Sequence, residues 1–231
     1  MAQPDDDLRA ALLAAAEAQL VASLDSDIAT RAVCEAAGVT QPVLYRIFGD
    51  KRGLLDALAD AGLERYAARK AELEVTDDPA EDLRRGWDDH LSFAQEHAAL
   101  YQLMFAPRPW ASSRARDGVI ELLRRTLSRC AAAGVLRVEI DVAQAMLLAA
   151  NVGLALNRMA DPASYAATGV SDALRDAVMG SVLDDDGSQR GQEDAGAAAR
   201  RQIRAQLRMD PPSALLPEET ALMTLWLNRL D

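Results

Sequence analysis

The chain has 231 residues, half of them apolar, with a formal charge of −11 and two cysteines. That length allows one large domain or a small head on a larger body, with enough apolar residues for a sizeable core. The charge weighs against a general polyanion binder, Cys34 and Cys130 are too far apart for a cysteine metal motif, and no apolar run is read as long enough to span a membrane.

Ala and Leu dominate and aromatics are 4% of the residues, which predicts an all-α protein. The N-terminal segment MAQPDDDLRA is acidic and lacks an apolar signal region, so a non-secreted, cytoplasmic chain with reduced cysteines is expected. Leu8, Leu12, Ala15, Ala16 and Leu20 place a first helix at about 7–22. Ser23–Ile28 reads as a polar loop, with Ile28 plugging a small core. Short helices follow at about 29–37 and 40–47. Asp50 suits the N-cap of a longer helix at about 51–73, carrying Leu54, Leu55, Leu58, Leu63 and Tyr66.

The body reads as further helices. Leu83, Trp87, His90, Leu91 and Ala94 define one at about 80–96, and Leu100–Phe105 a short apolar one stopped by Pro107 and Pro109. Val119, Leu122, Leu123, Leu127, Cys130 and Ala131 mark the next, about 112–133, closed by Gly134. Asp141 opens a helix at about 141–160 that is apolar nearly all round, which predicts burial on several sides. Ser171 suits the cap of a helix at about 172–183. Residues 184–196 are acidic and aperiodic and read as a mobile loop. Helices at about 197–208 and, after Pro217, 217–230 complete the chain.

Thr30–Lys51 carries the strongest local signal. Ala32, Val33, Ala36 and Ala37 give one side of a short helix small or apolar groups, Gly38 marks a reversal, and Val39 is expected buried in the turn. Thr40 can cap the second helix and Pro42 sits in its first turn. Leu44 and Phe48, four apart, share the inner face, leaving Gln41, Val43, Tyr45 and Arg46 outward. This is a helix-turn-helix, whose second helix can enter a DNA major groove. Residues 1–60 hold five cations and ten anions, yet 30–52 hold four cations (Arg31, Arg46, Lys51, Arg52) against two anions (Glu35, Asp50). The only local positive balance in the head therefore coincides with the motif, and phosphate binding depends on local cations.

Residues 8–66 resemble the N-terminal DNA-binding domain of the TetR family of bacterial transcriptional regulators. The pattern is Thr30, Val33, Ala36-Ala37-Gly38-Val39-Thr40, then Leu44-Tyr45, Phe48, Lys51 and Leu54-Leu55. The resemblance implies an all-helical homodimer, a three-helix head (1–50), and a larger helical ligand-binding and dimerisation body (51–231) meeting its copy through the last long helices. It also implies that Thr30, Thr40, Tyr45 and Lys51 touch phosphates. Arg46 and Gln41 are the groups suited to read guanine and adenine edges, Val43 can meet a thymine methyl, and Arg31 adds a cation. The departures are Ser23-Leu24-Asp25-Ser26 where a Gly-containing turn is usual, Pro42 and Val43 where small or hydroxylated residues are common, and Ile47 for a frequent His. The bland readings stand beside these: Tyr45 as a core aromatic with a wet hydroxyl, Arg46 and Gln41 as solvated surface groups, Thr30 as a cap.

No catalytic constellation or cofactor motif is found, so neither an enzyme nor a bound cofactor is expected. His90 and His97 lie seven apart, roughly 10 Å along a helix, too far to share a metal alone. Asp184-Asp185-Asp186 reads as a solvated charge run. For the body, Trp87, His90, Phe93, Tyr101, Met104, Phe105, Trp110, Met146 and Asn151 can line an effector pocket or be plain core. Asn151 and Asn157 stand in so apolar a segment that each needs a partner. The expected function is a DNA-binding transcriptional regulator, a repressor released from a double-stranded operator by a small apolar or amphipathic effector, with no membrane partner. The alternative is a helical ligand- or protein-binding module with little or no DNA binding.

Overall fold

Wherever apolar residues recur at three- and four-residue intervals, the chain is helical. The computed structural model describes residues 4–23, 28–105, 114–165, 169–184 and 195–230. Among them lie twelve helices: α1 (Pro4–Ala22), α2 (Thr30–Ala36), α3 (Gln41–Phe48), α4 (Lys51–Ala71), α5 (Pro79–Glu96), α6 (Ala98–Phe105), α7 (Arg114–Ala132), α8 (Ile140–Ala160), α9 (Pro162–Tyr165), α10 (Val170–Val182), α11 (Ala195–Met209) and α12 (Pro217–Arg229). The described residues contain no strand beyond one isolated bridge, Leu136 to Leu183. The expected all-α class is met.

The chain divides into two compact units, Met1–Ala71 with Ser92–Val119, and Glu72–Leu91 with Ile120–Asp231. In the first unit, Leu12, Ala16, Leu20, Ile28, Val33, Leu44, Leu54 and Leu58 form a closed core, each 1% exposed or less. Ile28 plugs it as its position suggests. Burying each large side chain of this set contributes about 1.5–3 kcal/mol. α4 also packs on α6: a Cβ at Gly62 would come within 2.8 Å of Met104 Sδ and 3.1 Å of Leu100. That close approach draws the apolar α6 segment into the same unit as the head. Arg65 grips Glu17 through two hydrogen bonds of 2.9 and 2.8 Å, tying α4 to α1.

In the second unit, Leu83, Trp87, His90 and Leu91 of α5 are buried, as their spacing predicts. Close by, Asp82, 7% exposed, accepts from Thr76 Oγ1 at 2.8 Å and Arg129 Nη1 at 2.6 Å, and pairs with Arg85. Burial opposes ionisation of Asp82, but hydrogen bonds from Arg129, Thr76 and Arg85 outweigh it and hold its carboxyl at about 2. Both cysteines are buried and free. Burial pushes the Cys130 thiol up to about 12 and also raises Cys34, as inert core thiols require.

Several local expectations are corrected. Thr40 holds the N-cap position of α3 with extended backbone but makes no side-chain cap bond. Val39 is half-buried and Ala36 exposed, Cys34 taking the inner position instead. Gly169, at φ 99°, precedes α10, so the helix begins at Val170 rather than after Ser171. A short α9, capped by Asp161 Oδ1 accepting from Ser164 N at 3.2 Å, has no counterpart in the sequence pattern. α8 begins at Ile140 behind Glu139 rather than at Asp141. It buries one face only, Ala143, Leu147, Asn151, Leu154 and Ala155, because the described part of its unit covers it from one side. It is also long and apolar enough by length and composition to cross a membrane, contrary to the sequence expectation. Trp110, residues 24–27 and most of the 184–196 segment lie outside the described residues.

Candidate functional site

The head leaves one face of α3 exposed. Gly38, at φ 68°, makes the reversal after α2, and its N–H and that of Val39 bond back to the Glu35 and Cys34 carbonyls. Leu44 and Phe48 are buried against the core, so the opposite face of α3 is left to solvent. Gln41, Pro42, Tyr45 and Arg46 are exposed there, and Val43 is half-buried at the edge. Gly49, at φ 81°, ends α3. Asp50 then caps α4, its Oδ1 accepting from Gly53 N at 2.8 Å. A Cβ at Gly53 would lie 2.0 Å from the Phe48 carbonyl oxygen. Only glycine lets α4 start so close to the end of α3.

Three of the expected contact residues form one cluster. Gln41 Nε2 lies 3.4 Å from Thr30 Oγ1, and Thr30 Oγ1 lies 3.4 Å from the Tyr45 hydroxyl. The start of α2 is thus linked to the exposed face of α3; Thr30 is the first residue of α2 and not its cap, which is Ala29. Arg31 pairs with Glu35 one turn on, at 3.0 Å. Thr40 is exposed and Lys51 half-buried at the start of α4. Arg46 is not simply solvated: its Nη2 and Nη1 donate to Asp5 Oδ1 and Oδ2 at 3.0 and 3.2 Å. The hydrogen bonds and opposite charge lower the Asp5 carboxyl and raise the Arg46 guanidinium from their ordinary values. Sequence reasoning singles out neither Asp5 nor Gly53. The signal for Asp5 is the acidic run Asp5-Asp6-Asp7 in a head short of cations. Gly53 leaves no pattern, because its role is a single backbone approach.

The candidate pocket residues divide between the units. In the first, Phe93, Tyr101 and Met104 are buried and Phe105 half-buried, with Tyr66 edge-on to Phe105 at 6.2 Å and Tyr101 stacked on Phe105 at 4.5 Å. Burial raises the Tyr101 hydroxyl well above its usual range. In the second, Trp87, His90 and Asn151 are buried and Met146 half-buried. Asn151 Nδ2 donates to the Trp87 carbonyl at 3.3 Å, linking α8 to α5. Trp87 Nε1, Asn151 Oδ1 and Gln144 Oε1 are buried with no hydrogen-bond partner among the described residues. Such orphaned polar atoms are uncommon in native interiors and call for an explanation. Asn157 meets its need locally, donating to the Gly153 carbonyl at 2.8 Å. No group of His, Cys, Asp and Glu suited to a metal occurs among the described residues.

Fold and head together define a helix-turn-helix protein with a helical body. Within the head, residues 26–58 match the family model described as bacterial regulatory proteins, tetR family. No curated protein matches the chain significantly. Among solved structures, a protein of unknown function from Rhodococcus sp. RHA1 is 26% identical, covers 77% of this chain and 96% of its own, and superposes with a TM-score of 0.64. A TetR variant from Acinetobacter baumannii AYE, in complex with minocycline, is 25% identical over 74% of this chain and 93% of its own, with a TM-score of 0.57. RolR in complex with resorcinol covers 95% of this chain and all of its own at 19% identity, with a TM-score of 0.60. The chain thus shares its fold with these solved structures.

Proposed function

We propose that the chain is a homodimeric repressor that binds a double-stranded operator through α3 and is released by a small-molecule effector held in the body. The observation that carries the DNA reading is the α3 surface, where Gln41, Tyr45 and Arg46 are exposed opposite the buried Leu44 and Phe48. Gln and Arg suit base edges, while Thr30, Thr40, Tyr45, Arg31 and Lys51 supply backbone contacts. Two such heads reading half-sites stand roughly 34–36 Å apart or a multiple of it. The exposed apolar groups Leu222, Leu225 and Trp226 of α12 and Leu230 just after it, together with the outer side of α8, favour these helices as the seam between copies.

The effector reading rests on Trp87 Nε1 and Asn151 Oδ1, a buried donor and a buried acceptor left over on α5 and α8. A ligand hydroxyl can accept from an indole N–H or donate to an amide oxygen. The effector is therefore read as a small apolar molecule bearing a hydroxyl or comparable polar group. By linkage, it must bind better to a state with altered head separation, and operator must weaken it by the same factor.

Selecting bound sites from random duplex DNA tests the reading. A palindromic consensus, retention of one dimer per site by sedimentation, and loss on Arg46→Ala support it. Absence of any enriched site favours the second reading, a helical binding module that does not use DNA. The Arg46–Asp5 pair is the observation on that side, because it occupies the main base-reading cation.

A further inference from the structure

Thr30 opens α2 and Gln41 opens α3. Tyr45 follows Gln41 by about one turn, so the two share a face of α3. Across the reversal at Gly38, Thr30 meets that face. Its Oγ1 accepts from Gln41 Nε2 at 3.4 Å and stands 3.4 Å from the Tyr45 hydroxyl. Gln41 and Tyr45 are exposed, and Thr30 is half-buried between them and the head.

The protons of this cluster can be arranged in few ways. A threonine hydroxyl has one proton and two lone pairs. Thr30 Oγ1 uses a lone pair on Gln41, and towards Tyr45 either oxygen can donate. If Tyr45 donates, its proton goes to Thr30. If Thr30 donates, the Tyr45 proton is left for a group outside the protein. Phosphate oxygens are acceptors, so a DNA phosphate at Tyr45 selects the second arrangement. The chain then runs from Gln41 N–H to Thr30, from Thr30 O–H to Tyr45, and from Tyr45 O–H to phosphate. Hydrogen bonds aligned in one direction polarise and strengthen one another. At 3.4 Å both protein contacts are at the long end of the range, so the chain is weak until an outside group fixes its direction.

Gln41 is the group that this chain orients. Its amide has two N–H donors and a carbonyl, and Thr30 engages one donor. A second N–H and a carbonyl are the pair that matches adenine N7 and N6. Glutamine loses rotamer freedom when it pairs with a base, and a tether on its amide removes part of that loss beforehand.

We propose that Thr30 is a positioning residue for base reading, coupling a backbone phosphate held by Tyr45 to the carboxamide of Gln41. Adenine is then read best when that phosphate is gripped. The proposal rests on operator binding through α3. It differs from a plain phosphate contact by Thr30, which would add affinity to every sequence alike.

Sites are selected from random duplex DNA with the full-length protein and its variants, each checked for helix content by circular dichroism. Gln41→Ala defines the base position that Gln41 reads, by losing an adenine preference there. At that position Thr30→Val should lower the preference for adenine about threefold to tenfold, the effect of one neutral hydrogen bond, while other positions keep theirs. Thr30→Ser retains the hydroxyl and should restore it. Tyr45→Phe should lower the same preference, and the Thr30→Val/Tyr45→Phe double variant should fall no further than the larger single loss. If Thr30→Val loses helix content, Tyr45→Phe, a change at an exposed residue, decides alone. Full adenine preference in a folded Thr30→Val or in Tyr45→Phe, or in Gln41→Ala, overturns the proposal and leaves operator binding standing. Absence of any enriched site for the parent protein overturns both.

Discussion

Arg46 on the exposed face of α3 is held by Asp5 of α1 through two hydrogen bonds of 3.0 and 3.2 Å. The same guanidinium is the head's best candidate for reading guanine. Under the proposed function, bound DNA must displace the carboxylate or share the cation with it, which would make Asp5 of α1 an internal competitor for the operator. The pair is solvent-exposed, which makes the competition mild. Asp5→Asn should therefore tighten operator binding by roughly twofold to fivefold at low salt, the gain fading as salt rises. A fluorescence anisotropy titration at two salt concentrations reads this directly. Unchanged or weaker binding in Asp5→Asn would show that the pair does not oppose DNA.

Because the head has few cations, each should count for a visible share of affinity. Arg46→Ala with Lys51→Ala should flatten the salt dependence of binding by about 0.9 in log–log slope for each phosphate left without its cation. Arg46→Ala alone should also relax sequence preference at one position of each half-site. If the double variant keeps the wild-type slope, the phosphates are neutralised from elsewhere on the head.

The head is legible in the sequence because its constraints are local. Gly38, the Leu44 and Phe48 spacing and the Asp50 cap are set by residues within one turn or one reversal of each other, and the structure has each in its expected place. Thr40 fails as a side-chain cap although its backbone holds the cap position, since residue type alone does not fix where a hydroxyl points. α8 departs for a different reason. Its composition announces burial on several sides, yet burial depends on what else packs there, and the described part of its unit covers one face. The α12 stripe Leu222, Leu225 and Trp226 has the periodicity of a core helix but lies exposed. Periodicity identifies an apolar face without naming its partner. Pairs such as Asp5 with Arg46, or Asp82 with Arg129, join residues 41 and 47 apart and have no sequence signature.

Gly53→Ala tests the junction between α3 and α4. A Cβ there would stand 2.0 Å from the Phe48 carbonyl oxygen, so backbone rather than a flexible side chain would have to move. In an ordinary helix this substitution stabilises by about 0.5–1 kcal/mol. Here it should destabilise the head by about 2 kcal/mol or more, within the range for steric strain in a packed site. Chemical denaturation gives the sign. A stabilised Gly53→Ala protein would mean that α4 can shift away from α3 at no cost.

Asp82 makes acid stability measurable in the body. Its folded carboxyl sits at about 2, below the ordinary value of 3.8, so the unfolded chain takes up a proton first as pH falls. The stabilisation it gives is full above the unfolded value of 3.8 and is lost as pH falls through the interval down to about 2. Asp82→Asn should lower stability at neutral pH by roughly 2–3 kcal/mol, because Arg129 and Arg85 lose a buried anionic partner. Over that same acid interval the variant's stability should also vary less with pH than that of the parent. Parallel pH profiles for the two proteins would contradict this role for Asp82.

Trp87→Phe separates effector contact from packing. The substitution keeps an aromatic side chain in place and removes the indole N–H, which has no partner among the described residues. If that N–H is spare in the unliganded protein because it awaits the effector, its removal should leave the melting point unchanged or slightly higher. The response to the effector should fall at the same time, by roughly threefold to tenfold for one neutral hydrogen bond. Asn151→Leu removes the complementary acceptor but also breaks the bond to the Trp87 carbonyl, so its stability change has two opposing parts. A panel of small hydroxylated aromatics, screened for release of operator DNA from the parent protein and from Trp87→Phe, provides the comparison. Equal release of both proteins by every active compound would assign Trp87 to the core and move the effector site elsewhere. Selective loss of response in Trp87→Phe, without loss of fold, would fix one end of the bound molecule at α5.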